Sequence, residues 1–511
     1  MRRVVSLYLP TWPTDRLRRK GGGGNVNGSP PFSEPLVTAV RQGPRRVVAS
    51  VDQASRRLGL RPGLTIAEAQ ARVPGLHVVE ATPDEDAAAL EALARWCLAC
   101  TPLVSVNPPD GIWLDIAGSA HLFGGETALL GKLLARIEGQ GFTVKAAVTD
   151  TPGAAWAVAR FAPRGAEVVI PPGGSPNAIA EFPVRALRLA ADTLDGLRQL
   201  GVERVGQLAA MPRAPLKLRF GEEVVRRLDQ ALGAQPELLT YIDPPETLLA
   251  RLAFAEPISA PETLQRVTER LLVDLCSDLE GHDVGARLLD LVFARVDNQR
   301  QAVRVGTSRP TRQVRHLLRL FIERLTLVDP GHGIEEAVLL APRVERLRPR
   351  QAIAAQLAGN DPDDANLSEL VDRLGVSFGT QRLYRAAPVE SELPERSVRR
   401  VSPLAPATGA TWPKDLPRPA KLLDPPEAVH AVAVAPDNPP IFFVWRKRRY
   451  RVVRADGPEQ VFGEWWVRYD EMSSSRDYYA VEDEQGARYW LFRDAPTASG
   501  GRWWLHGLGQ T

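Results

Sequence analysis

The chain is short of three things: cysteine, net charge and long apolar runs. Three cysteines in 511 residues cannot build a disulfide framework. Cys97 and Cys100, in CLAC, stand in an Ala/Leu-rich helical stretch without a second Cys or His pair nearby to complete a zinc tetrahedron. They read as buried thiols of a reducing compartment, the cytoplasm. A formal charge of +3 gives the whole molecule little field, so a polyanionic partner has to be met by a local basic patch. No segment is long and apolar enough for a membrane helix. The start, MRRVVSLYLPTWP, has a basic tip and an apolar run, but the run is short and meets Pro10 and Trp12 instead of a small-residue cleavage site; a first β-strand is the expectation.

The remaining composition is that of a soluble globular protein, 44% hydrophobic and 24% charged, while 44 Pro and 41 Gly demand many turns and a linker. The length implies several domains. After the first strand comes an amphipathic piece, then GGGGNVNGSPP, a flexible excursion. LVTAVRQGPRRVVAS is a two-strand signal around Gln42-Gly43-Pro44, and helical pieces broken at Arg61-Pro62-Gly63 follow. Asp84 to Ala99 is a helix with an acidic start. VSVNPPDGIWLDIAGSAHLFGGET reads as strand, tight turn, strand and helix start, and a helix, a strand at Thr143 to Thr149 and a helix from Pro152 complete an α/β layer. Phe182 to Gly233 is wholly helical; LRQLGVERVGQLAAM joins two short helices at Leu200-Gly201-Val202, a form that can expose backbone N–H groups to a phosphate or be an ordinary helix corner. Residues 251 to 346 run strand, helix, strand, strand, helix, strand: β-α-β-β-α-β. LSELVDRLG is helix-prone, residues 386 to 440 read as a proline-rich linker, and six of the eleven tryptophans fall in a strand-rich tail that should fold separately.

Together these pieces resemble the Y-family translesion DNA polymerases, and within them the catalytically degenerate ImuB-like group of bacterial mutagenesis cassettes. LDIAGSAHLFGGE, PVRALRL with LGVERVGQLA, RFGEEVVRRLDQALG, APVESELPERSVRRV and RDYYAVEDEQGARYWLF carry the resemblance, which covers essentially the whole chain. It implies an α/β multidomain right hand: palm and fingers in 1–180 with the fingers at about 30–80, a helix-hairpin-helix thumb at 181–245, a βαββαβ little finger at 246–348, a clamp-motif region and Pro-rich linker at 349–440, and a small C-terminal β domain at 441–511 that binds partners.

Phosphoryl transfer needs two Mg²⁺ about 3.5–4 Å apart, held by clustered carboxylates. The resemblance implies one Asp from the first strand and an Asp-Glu pair from the hairpin before LDI. Here those positions fall on Tyr8, with Pro10 beyond it, and on Asn107-Pro108-Pro109-Asp110. The ribonucleotide-excluding aromatic falls near Pro13, the fingers tyrosine on Gln53 with Arg56 close by, and Trp156 lies where a phosphate-facing lysine is expected. Tyr, Asn and Pro cannot cage hard dications, so the reading is a non-catalytic scaffold without a metal or cofactor. The alternative is an active polymerase that rebuilds an Mg²⁺ site from Asp110, Asp115 or Asp15; in the plainer reading these are turn, strand-end and helix-surface residues.

RVGTSRPTRQVRHLLRL gathers Arg304, Arg309, Arg312, Arg315 and Arg319, which with Gly201 are the candidate DNA contacts. Such a surface tracks phosphates without reading bases; the same arginines can also be a solvated helix face. The resemblance implies three further partners: the β sliding clamp, the RecA-like ImuA and an ImuC-type error-prone polymerase, acting in the SOS response. RPRQAIAAQLAGNDPDD offers Gln351 with Ile353, or Gln356 with Leu357, to the clamp, or is a plain helix-to-loop piece. In WRKRRYRVVR, Trp445 and Tyr450 among basic residues could stack on a single strand, but strand alternation favours aromatics inward and cations outward.

Overall fold

A computed structural model describes residues 2–21, 34–163, 168–243, 247–347, 362–406, 409, 411, 418–434, 438–471, 474–494 and 501–509. It divides into two units, Met1–Leu383 and Tyr384–Thr511.

The first unit opens with β1 (Val4–Tyr8), whose Val4, Val5, Ser6 and Leu7 are all buried, as a strand covered on both faces requires. After α1 (Trp12–Gly21), the fingers are β2 (Leu36–Gln42), β3 (Arg45–Val51) and β4 (His77–Glu80) in the order β3-β2-β4, with α2 (Gln53–Arg57) and α3 (Ile66–Arg72). Then come α4 (Pro83–Cys97), β5 (Val104–Asn107), β6 (Gly111–Asp115), α5 (Glu126–Glu138), β7 (Lys145–Thr149) and α6 (Pro152–Phe161). The palm sheet has the order β5-β6-β1-β7. On one face Leu90, Leu93, Leu129 and Leu133, at helical spacing, pack against Val5 and Leu7. On the other lies α6, begun by the Thr151 hydroxyl accepting the Ala154 N–H at 3.1 Å. Its Ala154, Ala157 and Val158 share a core with the thumb: α7 (Ser175–Ile179), α8 (Ala191–Gln199), α9 (Val205–Ala209), α10 (Arg213–Phe220) and α11 (Glu222–Leu232).

The little finger contains β8 (Leu248–Ile258), α12 (Pro261–Gly281), β9 (Val284–Arg295), β10 (Arg300–Thr311), α13 (Val314–Leu325) and β11 (Ile334–Arg346), in the sheet order β10-β9-β11-β8. Leu289, Leu291, Phe293 and Val305 meet Leu271, Leu275, Leu317 and Phe321 on the helical face. The opposite face of β10 lies against the palm. Gly118 is needed there, because a Cβ would come within 1.7 Å of the Ala302 carbonyl oxygen. The helix-prone LSELVDRLG lies within α14 (Pro362–Phe378), whose Val376 enters the little-finger core and whose Asp372 accepts the Ser308 N–H at 2.6 Å.

The second unit holds a hairpin of β12 (Arg385–Pro388) and β13 (Val398–Val401). A closed barrel follows: β14 (Lys421–Ala433), β15 (Pro440–Trp445), β16 (Arg448–Phe462), β17 (Ser475–Asp483), β18 (Arg488–Asp494) and β19 (Trp503–Leu508). It therefore begins well before 441. Asp424-Pro425-Pro426 falls in the register shift between Leu422 and Glu427, where prolines forfeit no ladder bond, so a proline-rich reading mistook a bulged strand for linker. Tyr450 stacks on Phe443 at 5.0 Å while Arg448, Arg449 and Arg451 are exposed. Among the described residues no helix is long and apolar enough to cross a membrane.

Candidate active-site region of the palm

β1 delivers Tyr8 opposite Gly111 of β6 and Lys145 of β7, and the Leu9 N–H donates to the Asp110 carbonyl at 2.8 Å. The β5–β6 turn thus sits beside Tyr8, with Pro108 and Pro109 exposed. Four residues apart on α6, Trp156 and Arg160 share one helix face. The Arg160 guanidinium lies 4.2 Å from the Tyr8 ring centroid and 4.3 Å from that of Trp156, and its Nη2 donates to Asp110 Oδ1 at 2.6 Å. Its side chain is 9% exposed. Burial, with Asp110 and Tyr8 opposing and Arg188 adding, holds its pKa below the usual arginine value.

The stack continues beyond Trp156. Arg188 stands 5.8 Å from the Trp156 ring and 5.6 Å from that of Trp113, and pairs with Glu237 at 2.8 Å. Sequence reading missed both arginines. The spacing of Trp156 and Arg160 in GAAWAVAR was the available signal for the first; the second is joined to the site only by folding.

Asp110, Asp115 and Asp15 do not converge. Asp110 and Asp115 bracket β6, roughly 16 Å apart at strand rise. Asp115 accepts from Arg2 Nε at 3.0 Å and from the Ala117 N–H at 3.2 Å, and burial raises its pKa. Asp15 accepts from the Thr143 N–H at 2.8 Å and the Thr11 hydroxyl at 2.7 Å; burial raises it too, against those bonds. It is buried, not the solvated helix residue of the plainer sequence reading. Among the described residues no group of three or more His, Cys, Asp or Glu side chains is placed to share a metal. A phenol, two prolines and a carboxylate already bonded to a guanidinium do not fit a pair of divalent ions. Gln53 is exposed at the start of α2, and Arg56 Nη2 donates to the Pro10 carbonyl. Cys97 and Cys100 are buried free thiols, and burial pushes the Cys100 thiol up.

The structure corrects two DNA contacts. Arg304 is fully buried on β10: Nε and Nη2 donate to Asp290 at 2.6 and 2.7 Å, and Nη1 and Nη2 to the carbonyls of Ala99 and Leu98 at 2.9 and 3.0 Å. It therefore joins little finger to palm and has no free face for a phosphate. Gly201 takes the left-handed φ of +74° expected of a helix corner, but its N–H donates to the Arg198 carbonyl. At the next helix start Gln207 Oε1 accepts from the N–H groups of Glu203 and Arg204, and those of Val205 and Gly206 donate to Phe182 and Ala180. The N–H groups from Glu203 to Gly206 are thus taken up within the protein. Arg309 is half-buried, Arg312 pairs with Glu280 at 3.2 Å, and Arg315 and Arg319 are exposed one turn apart on α13. Gln351, Gln356 and Leu357 lie outside the described residues.

The impB/mucB/samB family pattern matches residues 32–160. The chain is 46% identical over 464 residues to Protein ImuB of Caulobacter vibrioides, covering 88% of this chain and 100% of that one. It belongs to the ImuB family. DNA polymerase IV of Ralstonia nicotianae is 26% identical over 201 residues, 39% of this chain and 56% of that one. DinB from Sulfolobus solfataricus is similar at a TM-score of 0.39 and 14% identity, over 68% of this chain and 100% of that one. In this ImuB-family chain the barrel, at residues 425–510, matches a domain of unknown function, DUF6504.

Proposed function

We propose that the chain is a non-catalytic, Y-family-like scaffold that binds DNA and links the sliding clamp to an error-prone polymerase during SOS-induced translesion synthesis and mutagenesis in the cytoplasm. The observation that supports it is the position of Arg160. A fixed positive charge, clamped between Tyr8 and Trp156 and bonded to Asp110, stands where the resemblance calls for anionic oxygens around divalent ions. Such a site repels a dication and cannot align a triphosphate through one. What remains is a holding surface. Arg315 and Arg319 are the arginines we assign to DNA phosphates, with Arg312 contributing once released from Glu280. Gln351 or Gln356 with Leu357 is the segment we assign to the clamp, and the RecA-like and error-prone polymerase partners fall to the C-terminal unit.

Primer extension by the purified chain, with Mg²⁺ or Mn²⁺ and all four nucleotides, tests the central claim. No extension is expected; robust extension that Asp110→Ala or Asp115→Ala abolishes would establish the polymerase alternative. Clamp capture that survives the Gln351→Ala/Gln356→Ala double substitution would discard the clamp segment.

A further inference from the structure

The described tryptophans of the barrel unit fall into two groups. Trp490 and Trp503 are buried, and Trp445 and Trp504 are half-buried with Nε1 donating to Glu427 at 2.7 Å and to Asp494 at 3.0 Å. Trp465 and Trp466 are 55% and 68% exposed, beside Val467 at 60% and Tyr469 at 79%. These four large side chains follow one another on the connection between β16 and β17.

Hydrogen bonds tie down the described residues of this connection. The Gly463 N–H donates to the Ser474 carbonyl at 2.8 Å, and a Cβ at 463 would come within 2.4 Å of the Glu471 carbonyl oxygen. Glu464, 5% exposed, accepts from Arg396 Nη1 at 3.2 Å, and the same nitrogen donates to Glu471 at 2.9 Å. The N–H groups of Val467 and Arg468 close a turn on the Glu464 carbonyl at 2.8 and 3.0 Å. An ordered turn thus holds two indoles, a valine and a phenol outward, against the gain that burying such surface would bring. Exposed apolar clusters of this kind mark binding surfaces, and Trp and Tyr are the usual anchors.

Charge decides the occupant. Phe462 to Glu471 carries Glu464, Asp470 and Glu471 against Arg468, and Arg396 beneath brings the local sum only to −1. Stacking platforms for single-stranded nucleic acid sit in a basic track; the exposed Arg446, Lys447, Arg448 and Arg449 supply one at the β15–β16 turn, not here. We propose that Trp465, Trp466 and Tyr469 are the anchor by which the chain grips a protein partner whose surface offers an apolar groove edged by basic side chains. This deepens the scaffold reading and rests on it.

The full chain and its Trp465→Ala/Trp466→Ala variant are compared for binding to the purified RecA-like and error-prone polymerase partners of the same cassette, and to a fluorescent oligo-dT. Both substitutions lie in solvent, so an unchanged melting profile is expected. The variant should lose on the order of a hundredfold in affinity for one protein partner, the scale of two anchor residues, and nothing for oligo-dT. Partner affinity within twofold of the parent overturns the inference while leaving the scaffold reading standing; a loss confined to oligo-dT overturns it in favour of a nucleic-acid platform. A parent chain that binds neither protein overturns the scaffold reading itself.

Discussion

Arg304 and Asp290 form a twofold hydrogen-bonded ion pair, at 2.6 and 2.7 Å, on neighbouring strands of the little finger, with side chains 2% and 3% exposed. The remaining Arg304 hydrogen bonds reach the turn just past the end of α4, at Leu98 and Ala99. Removing one partner of such a pair leaves the other charged, buried and unanswered. Arg304→Ala should therefore destabilise the first unit by about 3–5 kcal/mol, whereas Arg304→Met with Asp290→Leu should cost far less. Denaturant unfolding of the two variants checks this; equal losses would mean that the pair is not the closed unit described.

The rearranged palm makes a second expectation. Tyr8→Asp with Pro108→Asp and Pro109→Glu restores three carboxylates, but a carboxylate at position 8 would meet the guanidinium that now lies 4.2 Å from the Tyr8 ring. A unit charge at about 4 Å is worth roughly 4 kcal/mol at intermediate dielectric. Mn²⁺ affinity, read by electron paramagnetic resonance, should thus stay weak in the triple variant and tighten at least about tenfold when Arg160→Ala is added. Tight binding by the triple variant alone would contradict the electrostatic role given to Arg160.

Much of this architecture was legible in the chain, and the exceptions have physical reasons. The β-α-β-β-α-β order could be read because each element keeps one period over its whole length, as in the Leu289, Leu291, Phe293 alternation. Arg304 could not. Its charge suggested a surface, and the carbonyls that bury it belong to residues 205 and 206 positions away. The capped helix start in the thumb was readable, since Gln207 stands three residues after Arg204, the place from which a side chain reaches back to cap the preceding N–H groups. The early start of the barrel was hidden by prolines that happen to fall in a bulge.

The barrel should lose stability in acid through His506. This ring is fully buried, stacked on Trp490, and its Nδ1 lies 2.8 Å from the Tyr478 hydroxyl. That hydroxyl accepts from Arg476 and keeps its own proton, which it can give to Nδ1 of a neutral imidazole. Burial holds the His506 pKa below 6.5, Glu395 at 3.8 Å opposing and Arg476 adding. The unfolded chain then binds the extra proton first as pH falls below 6.5, so stability present above that value is lost toward the folded pKa by up to about 1.4 kcal/mol per pH unit. Unfolding at pH 7.5 and 5.0, followed by tryptophan fluorescence, should show this difference in the parent and a smaller one in His506→Gln.

The arginines of the little finger should separate by salt dependence. A side chain that displaces counterions from duplex DNA adds about 0.9 to the slope of log affinity against log salt. Arg315 and Arg319 are exposed on one face of α13, so Arg315→Ala and Arg319→Ala should each lower the slope by nearly that amount while leaving the fold intact. Arg304 has all its observed bonds within the protein, and a folded Arg304→Met/Asp290→Leu chain should keep the parent slope. Fluorescence anisotropy on a fixed duplex across a salt series measures all three. A slope that falls in the buried-pair variant and not in the α13 variants would place the DNA on the sheet face that the palm now covers, and would require little finger and palm to part on binding.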